Sequence, residues 1–187
     1  MDSSPTIDFG LSLDWTVRDF KTHFTPEKLL RLHPHWHVGE IISDDDAWQA
    51  DLKNHETEAE FQLTFRVRFG DGATGDAQLR IEFEAAPLTA MVVTICDGKV
   101  VARLEDYQPA DEEDPYQFEL WLRGIYGYLS LYEKNTLWRR INRIIMNRYL
   151  IPMNPSQRKI SIMIYRFTVL EVVVILIIAA GYFMFMR

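Results

Sequence analysis

The sequence predicts an α+β protein in which an antiparallel sheet and a long amphipathic helix form one domain, followed by one transmembrane helix. Three patterns lead to this fold class: alternation of apolar and polar residues over much of residues 7–107, apolar residues spaced by three and four over residues 115–150, and a nearly uninterrupted apolar run over residues 167–186. A period of two is typical of half-buried strands, and spacings of three and four are typical of amphipathic helices.

The apolar run near the C-terminus is long enough to cross a bilayer. Glu171 is its only ionised residue, and a hydrocarbon core of about 30 Å requires roughly 20 helical residues. The alternative is a buried helix of a soluble core, but such helices seldom reach this length without a polar face. Asn-Pro-Ser-Gln at residues 154–157 has the pattern of a helix start. The chain therefore divides into a domain (1–150), a proline-containing break (151–156) and a transmembrane tail anchor (157–187).

Charge is distributed unevenly along the chain. Residues 1–114 carry 10 Lys and Arg against 24 Asp and Glu, a net charge of −14, whereas residues 115–187 carry 10 against 3, a net charge of +7. An acidic domain is not attracted to nucleic acid, but basic residues beside a membrane helix are attracted to anionic lipid headgroups. The residues expected at the membrane interface are Trp138, Arg139, Arg140, Arg143, Arg148, Arg158, Lys159 and Arg166. The same bias predicts a single-pass, tail-anchored protein with a cytoplasmic N-terminal domain.

The first third of the chain predicts a strand followed by two short helices. Residues 7–15 alternate between apolar and polar types, as a half-buried first strand does. Residues 17–24 fit a short helix. Thr25 and Pro26 have the types preferred at the N-cap and first position of a second, leucine-rich helix, which should end before Pro34.

The central part of the chain predicts the sheet. Residues 36–42 are rich in β-formers and predict a second strand, whereas capping-box spacing within residues 44–58 predicts a short surface helix or a long loop. Strict alternation over residues 61–69 and 77–85 predicts a long antiparallel hairpin. If its strands pair symmetrically about Ala73, Thr64 faces Glu82. Two more strands flank Asp97 and Gly98, a pair suited to a type I′ turn.

One long helix is predicted from residue 115 to about residue 150, after a start signal at Asp114 and Pro115. In its second half, residues 134–150, apolar residues occupy one side, while Arg139, Arg140 and Arg143 occupy the other. This pattern is typical of a helix lying in the bilayer interface. The alternative is a helix packed on the sheet with a solvated basic face.

The order of these elements resembles the START-like (SRPBCC, helix-grip) superfamily over residues 6–150. The resemblance rests on a strand, a Thr-Pro-Glu helix start, a leucine-rich helix and His33-Pro34 before Trp36, followed by the antiparallel sheet and the long helix. It implies a sheet wrapped around the long C-terminal helix, with a hydrophobic cavity between them for a lipid, sterol, quinone or similar molecule. The implied ligand-binding residues are Phe61, Leu63, Phe65, Leu79, Ile81 and Phe83 on the sheet, and Trp121, Leu122, Ile125 and Leu129 on the helix.

Motifs for catalysis or for metal and cofactor binding are weak. Residues 70–75 match G-x-G-x-x-G, but a strand rather than a phosphate-binding helix should follow. His33, His35 and His37 are close in sequence, yet a zinc site needs three or four ligands, so we expect a polar loop that titrates near pH 6.5. Cys96 lies in an apolar alternating run and is expected to be buried and unreactive. The sequence predicts a protein that is not an enzyme, with no catalytic residue, metal or cofactor.

Glu171 is the most suggestive single residue, because an ionisable group inside a span is costly. Its carboxylate reaches the cytoplasmic interface or pairs with another membrane subunit; the sequence leaves both possibilities open. We therefore expect a membrane-anchored binding module for a hydrophobic small molecule at the cytoplasmic leaflet. The alternative is a non-catalytic accessory subunit of a larger membrane complex, which contacts a partner through the tail helix.

Overall fold

The computed structural model describes residues 6–44, 46–72, 76–84, 87–108 and 116–185. Within them, seven antiparallel strands form one sheet in the order β1-β7-β6-β5-β4-β3-β2, which confirms the α+β class. In chain order the elements are β1 (Thr6–Ser12), α1 (Val17–His23), α2 (Pro26–Arg31), β2 (Trp36–Asp44), β3 (Ala47–Asn54), β4 (Glu60–Asp71), β5 (Ala77–Glu84), β6 (Ala90–Cys96), β7 (Lys99–Glu105), α3 (Phe118–Ser130), α4 (Leu137–Ile145), a π-helical turn (Met146–Leu150) and α5 (Pro155–Phe185).

Strand β3 corrects the prediction of a surface helix or loop over residues 44–58. Ala50 and Leu52 alternate with polar residues and are buried, opposite Leu63 and Phe61 of β4. The capping-box spacing was misleading because the alternation over these residues places Ala50 and Leu52 on the buried face of the sheet. This arrangement depends on the pairing of β3 with β4, which the local sequence does not reveal.

The β4–β5 hairpin is confirmed, but its predicted register is wrong. Thr64 lies opposite Glu84 rather than Glu82, so the pairing is displaced by two residues. The displacement arises because β4 continues through Asp71, and the Gly72 N–H donates to the Asp76 carbonyl at 2.7 Å. A strand follows the glycine-rich segment, as predicted.

Both edge strands of the sheet contain an irregularity. In β1 the register with β7 shifts between Asp8 and Ser12, where Gly10 has φ of 61° and its N–H donates to Asp8 Oδ1 at 2.8 Å. In β2 the register with β3 shifts between Val38 and Ile41. Such bulges interrupt the row of backbone groups along an open edge.

The predicted long helix over residues 115–150 is wrong, because the structure divides it into α3, α4 and the π-helical turn. The chain turns between α3 and α4, and Thr136 caps α4 by accepting a hydrogen bond from the Arg139 N–H. Arg143 donates from the guanidinium to the carbonyls of Leu131 and Lys134 in this turn, at 2.9 and 3.0 Å. The start signal at residues 114–115 lies outside the described residues, and α3 begins at Phe118.

Helix α3 lies against the sheet and against α2. The Phe83 and Trp121 rings are 5.8 Å apart, and Trp121 Nε1 donates to the Leu29 carbonyl at 2.6 Å. The α3 backbone passes so close to α2 that a Cβ on Gly124 would overlap the Leu32 carbonyl oxygen. These contacts fix α3 across the inner face of the sheet.

Helix α5 begins at Pro155, as predicted. Asn154 accepts at its carbonyl from the Arg158 N–H at 2.9 Å, and its own N–H donates to Gln157 Oε1 at 3.0 Å. The 28 residues Pro155–Tyr182 are long and apolar enough to cross a membrane, and the mean hydropathy of an 18-residue window within them is 2.4. The chain therefore carries one candidate membrane-spanning helix among its described residues.

Candidate functional site

The residues predicted to line a ligand cavity lie together in the hydrophobic core. Nine are buried in one cluster and Phe61 is packed against it, half-buried: Phe61, Leu63, Phe65, Leu79, Ile81, Phe83, Trp121, Leu122, Ile125 and Leu129. The same cluster includes Phe20 of α1 and Phe24, the residue that follows α1, so side chains of this N-terminal segment occupy part of the layer between the sheet and α3.

A cleft opens at one end of this layer, between α3 and the strands β1 and β7. Its volume is about 510 Å³. The lining is mainly apolar, with three charged residues: Ile7, Asp8, Phe9, Leu104, Tyr107, Glu119, Leu122, Arg123 and Tyr126. The Phe9 and Tyr126 rings meet edge to face at 5.3 Å. Leu122 is the one residue of the predicted ligand-binding set that lines this cleft.

The exposed surface of α4 is mainly apolar. None of its residues is buried, and the large apolar side chains point away from the domain: Leu137, Trp138, Ile141, Ile144 and Ile145. On its basic side, Arg139 and Arg143 contact the protein, whereas Arg140 is exposed. Arg139 donates to the Ser130 carbonyl, and the Arg143 guanidinium lies 4.6 Å from the centre of the Tyr132 ring. The alternative of a helix packed on the sheet with a solvated basic face is therefore wrong.

The other residues expected at the membrane interface differ in their surroundings. Arg140 Nε donates to Asn135 Oδ1, and the Arg158 guanidinium donates to the carbonyls of Met153 and Ile151. Arg148, Lys159 and Arg166 are exposed. Several of these cations thus have a structural role in the turns before α5.

A polar network joins α2, α3 and the π-helical turn. The Tyr128 hydroxyl accepts a hydrogen bond from Lys28 Nζ at 2.6 Å and donates to Asn147 Oδ1 at 3.1 Å, and it lies 3.0 Å from the Tyr132 hydroxyl. Burial lowers the pKa of Lys28 to about 8 and raises the pKa of Tyr128. Sequence reasoning missed this network, because Lys28 and Tyr128 are far apart in the chain.

The histidine cluster does not behave as one exposed polar loop. His33 is fully buried and stacks on Trp36 at 4.1 Å. His33 Nδ1 accepts from the His35 N–H, so Nε2 carries the proton and donates to the Gln117 carbonyl at 3.3 Å. Burial lowers the pKa of His33 to about 3, which corrects the expected titration near pH 6.5 for this residue.

The remaining metal-capable groups are dispersed. His37 Nδ1 lies 3.0 Å from Asn154 Oδ1, and His35 Nδ1 lies 3.2 Å from Glu56 Oε2. Across the described part of the chain, no three His, Cys, Asp or Glu side chains are grouped so that they could hold a metal ion. Cys96 is exposed rather than buried, because it ends β6, and the nearby Asp76 carboxylate raises the pKa of its thiol.

Taken together, these features define an α+β domain with an apolar cleft, an outward-facing amphipathic helix and one candidate membrane span. The antiparallel sheet and the C-terminal apolar helix are compatible with a helix-grip fold that carries an anchor. Comparisons with protein-family models and with curated proteins find no match for this chain.

Proposed function

We propose that this chain is a START-like module, anchored by α5 with its domain on the cytoplasmic side, that binds a hydrophobic small molecule at that leaflet. The observation that carries the proposal is the cleft of about 510 Å³ between α3 and the β1–β7 edge of the sheet. Small-molecule sites typically have volumes of roughly 300–1,000 Å³, are mostly apolar and contain few polar groups.

The lining of the cleft favours a mainly apolar ligand with a small polar end. Leu104 and Leu122 form a buried apolar surface, and the Phe9 and Tyr126 rings add an aromatic one. The charged lining consists of Arg123 and two carboxylates, Asp8 and Glu119, so it is suited to a polar group that both donates and accepts hydrogen bonds. A lipid with a small polar head, such as a fatty acid in its neutral form, fits this combination.

The membrane proposal rests on α4 and α5 together. The apolar side of α4 faces outward, as expected for a helix lying in a bilayer interface, and α5 follows after a short turn. Basic residues precede the span almost exclusively, which supports a cytoplasmic domain.

Photo-crosslinking of the full chain in nanodiscs tests the proposal, with diazirine-labelled palmitic acid as the probe. We expect cross-links on peptides of β1 and α3. Ile7→Trp should reduce them severalfold, because Ile7 lines the cleft and is 40% exposed, so a larger side chain there fills the space without entering the core. Ile42→Trp is the matched control, since Ile42 is 50% exposed on β2 at the opposite edge of the sheet.

Two results would contradict the binding module. One is labelling confined to α5, as expected for a probe that only partitions into the bilayer. The other is equal labelling of the Ile7→Trp and Ile42→Trp variants.

A second candidate is an accessory subunit of a membrane complex. Glu171 favours it, because its side chain is exposed on α5, where lipid would otherwise surround a carboxylate. Native mass measurement of the full chain after mild detergent extraction distinguishes the two functions. A stoichiometric protein partner would favour the subunit, whereas a bound apolar molecule on a lone chain would favour the binding module.

A further inference from the structure

A second pocket lies where the domain meets α5. Its volume is about 270 Å³, and we call it the junction pocket. It lies between the C-terminal end of α2, the π-helical turn and the first turns of α5, and is lined by Arg31, Leu32, Pro34, His35, Met146, Leu150, Ile151, Pro155, Arg158, Lys159 and Ile162. The cleft between α3 and the β1–β7 edge of the sheet shares none of these residues.

The charged lining of the junction pocket is entirely cationic. Arg31, Arg158 and Lys159 contribute to it, and no carboxylate does. Arg158 is fixed by hydrogen bonds to the carbonyls of Met153 and Ile151, at 2.9 and 3.2 Å, which leave its positive charge unneutralised. Arg31 forms an ion pair with Glu27 at 2.8 Å, while Lys159 is exposed. The pocket therefore combines an apolar wall with excess positive charge.

The length of α5 places the junction pocket at the level of the lipid headgroups. At 1.5 Å per residue, the 31 residues of α5 extend about 46 Å, slightly more than a bilayer of about 40–45 Å including its headgroups. Arg158 and Lys159 lie in the first turn of this span, so their charges are at the membrane surface. Ile162 is one turn deeper, on the way to the acyl chains.

We propose that the junction pocket binds one anionic glycerophospholipid from the surrounding bilayer. The phosphate lies beside Arg31 and Lys159, and an acyl chain packs against Leu32, Leu150 and Ile162. Anionic lipid headgroups are attracted to such basic pockets beside membrane helices. The bound lipid joins α2 to α5 and fixes the domain relative to the span. This inference does not depend on a ligand in the cleft between α3 and β1.

Native mass spectrometry of the full chain, released from nanodiscs of equal parts phosphatidylglycerol and phosphatidylcholine with identical acyl chains, tests the proposal. We expect one retained phosphatidylglycerol, at least about fivefold more abundant than retained phosphatidylcholine. Lys159→Gln should lower this preference about fivefold, the effect of one basic residue near a membrane surface. Arg166→Gln is its control, because Arg166 is an exposed cation on α5 that does not line the pocket.

A second pair of variants separates pocket binding from general attraction to the basic surface. Ile162→Trp fills the pocket without changing charge and should remove the retained lipid, whereas Ile160→Trp, at an exposed position outside the pocket, should retain it. Equal retention of both lipids by the unaltered chain would overturn the proposal. Equal effects of the two substitutions in either pair would also overturn it. Displacement of the lipid by millimolar inorganic phosphate would overturn it as well, because it would indicate a site for free anions.

Discussion

Gly124 is the residue that allows α3 to approach α2, because any Cβ there would overlap the Leu32 carbonyl oxygen. Gly124→Ala should lower the free energy of unfolding by about 1–3 kcal/mol, the usual cost of overpacking. Gly127→Ala, three residues along the same helix with open space around it, should instead stabilise by up to about 1 kcal/mol, because alanine favours helix. Denaturant unfolding of the full chain in micelles, followed by tryptophan fluorescence, measures both. A destabilised Gly127→Ala, or a neutral Gly124→Ala, would contradict the close approach.

His33 makes stability depend on pH, since the folded protein holds it neutral. Its pKa is about 3 when folded, against 6.5 for an ordinary histidine. Between these values the unfolded chain binds a proton that the folded chain does not, so stability is present above pH 6.5 and is lost as pH falls towards 3. The difference in unfolding free energy between the unaltered chain and His33→Gln should shrink by about 1–2 kcal/mol between pH 7 and pH 5. If the unfolding free energies of the two proteins changed in parallel with pH, this role of His33 would be refuted.

Helix α4 has its polar side bound to the protein and its apolar side exposed, the reverse of a helix on the surface of a soluble domain. Trp138 is 62% exposed, while Arg143 is held by two carbonyls and a tyrosine ring. The arrangement is stable in contact with lipid, because the apolar face would otherwise be hydrated at a cost of about 25 cal/mol per Å². The exposed apolar side of α4 is the surface that the proposed position in a bilayer interface requires.

Spin labels on α4 test whether this helix enters the bilayer interface. The labels are attached in a Cys96→Ser background, because the exposed Cys96 would otherwise be labelled too. A label at Trp138→Cys, on the apolar side and 62% exposed, should collide more with oxygen than with a water-soluble nickel complex, since oxygen concentrates in the bilayer. A label at Arg140→Cys, an exposed position on the basic side, should show the opposite preference. Equal water accessibility at both positions in nanodiscs would mean that α4 does not enter the membrane interface.

For the whole molecule, the parts that were predictable are those that neighbouring residues determine. Alternation identified β4 and β5. The residue types Asp97 and Gly98 predicted a turn with positive φ at both positions, and the observed values are 50° and 76°. Proline at residue 155 marked the first residue of α5. In each case a local signal of propensity or capping agrees with the tertiary structure.

The parts that were not predictable depend on contacts between distant residues. Strand β3 forms because it pairs with β4, where Ala50 and Leu52 lie opposite Leu63 and Phe61. The turn after α3 is stabilised by hydrogen bonds from Arg143 to carbonyls of that turn. The cleft brings Ile7 beside Tyr126, from opposite ends of the domain, so no spacing in the sequence indicates it. The resemblance placed an apolar site between the sheet and the helix, but only Leu122 of that set faces the open cleft.

The bulges in β1 and β2 have a consequence for many copies of this chain in one membrane. Anchored molecules share a single orientation and diffuse in two dimensions, which raises their effective concentration far above that of a dissolved protein. Two straight, open sheet edges would then add strands from one copy to the next and polymerise along the surface. Gly10, with its N–H bound to Asp8, and the shift between Val38 and Ile41 interrupt both edges. If α5 spans a membrane as proposed, the two bulges protect the sheet against lateral assembly in that plane.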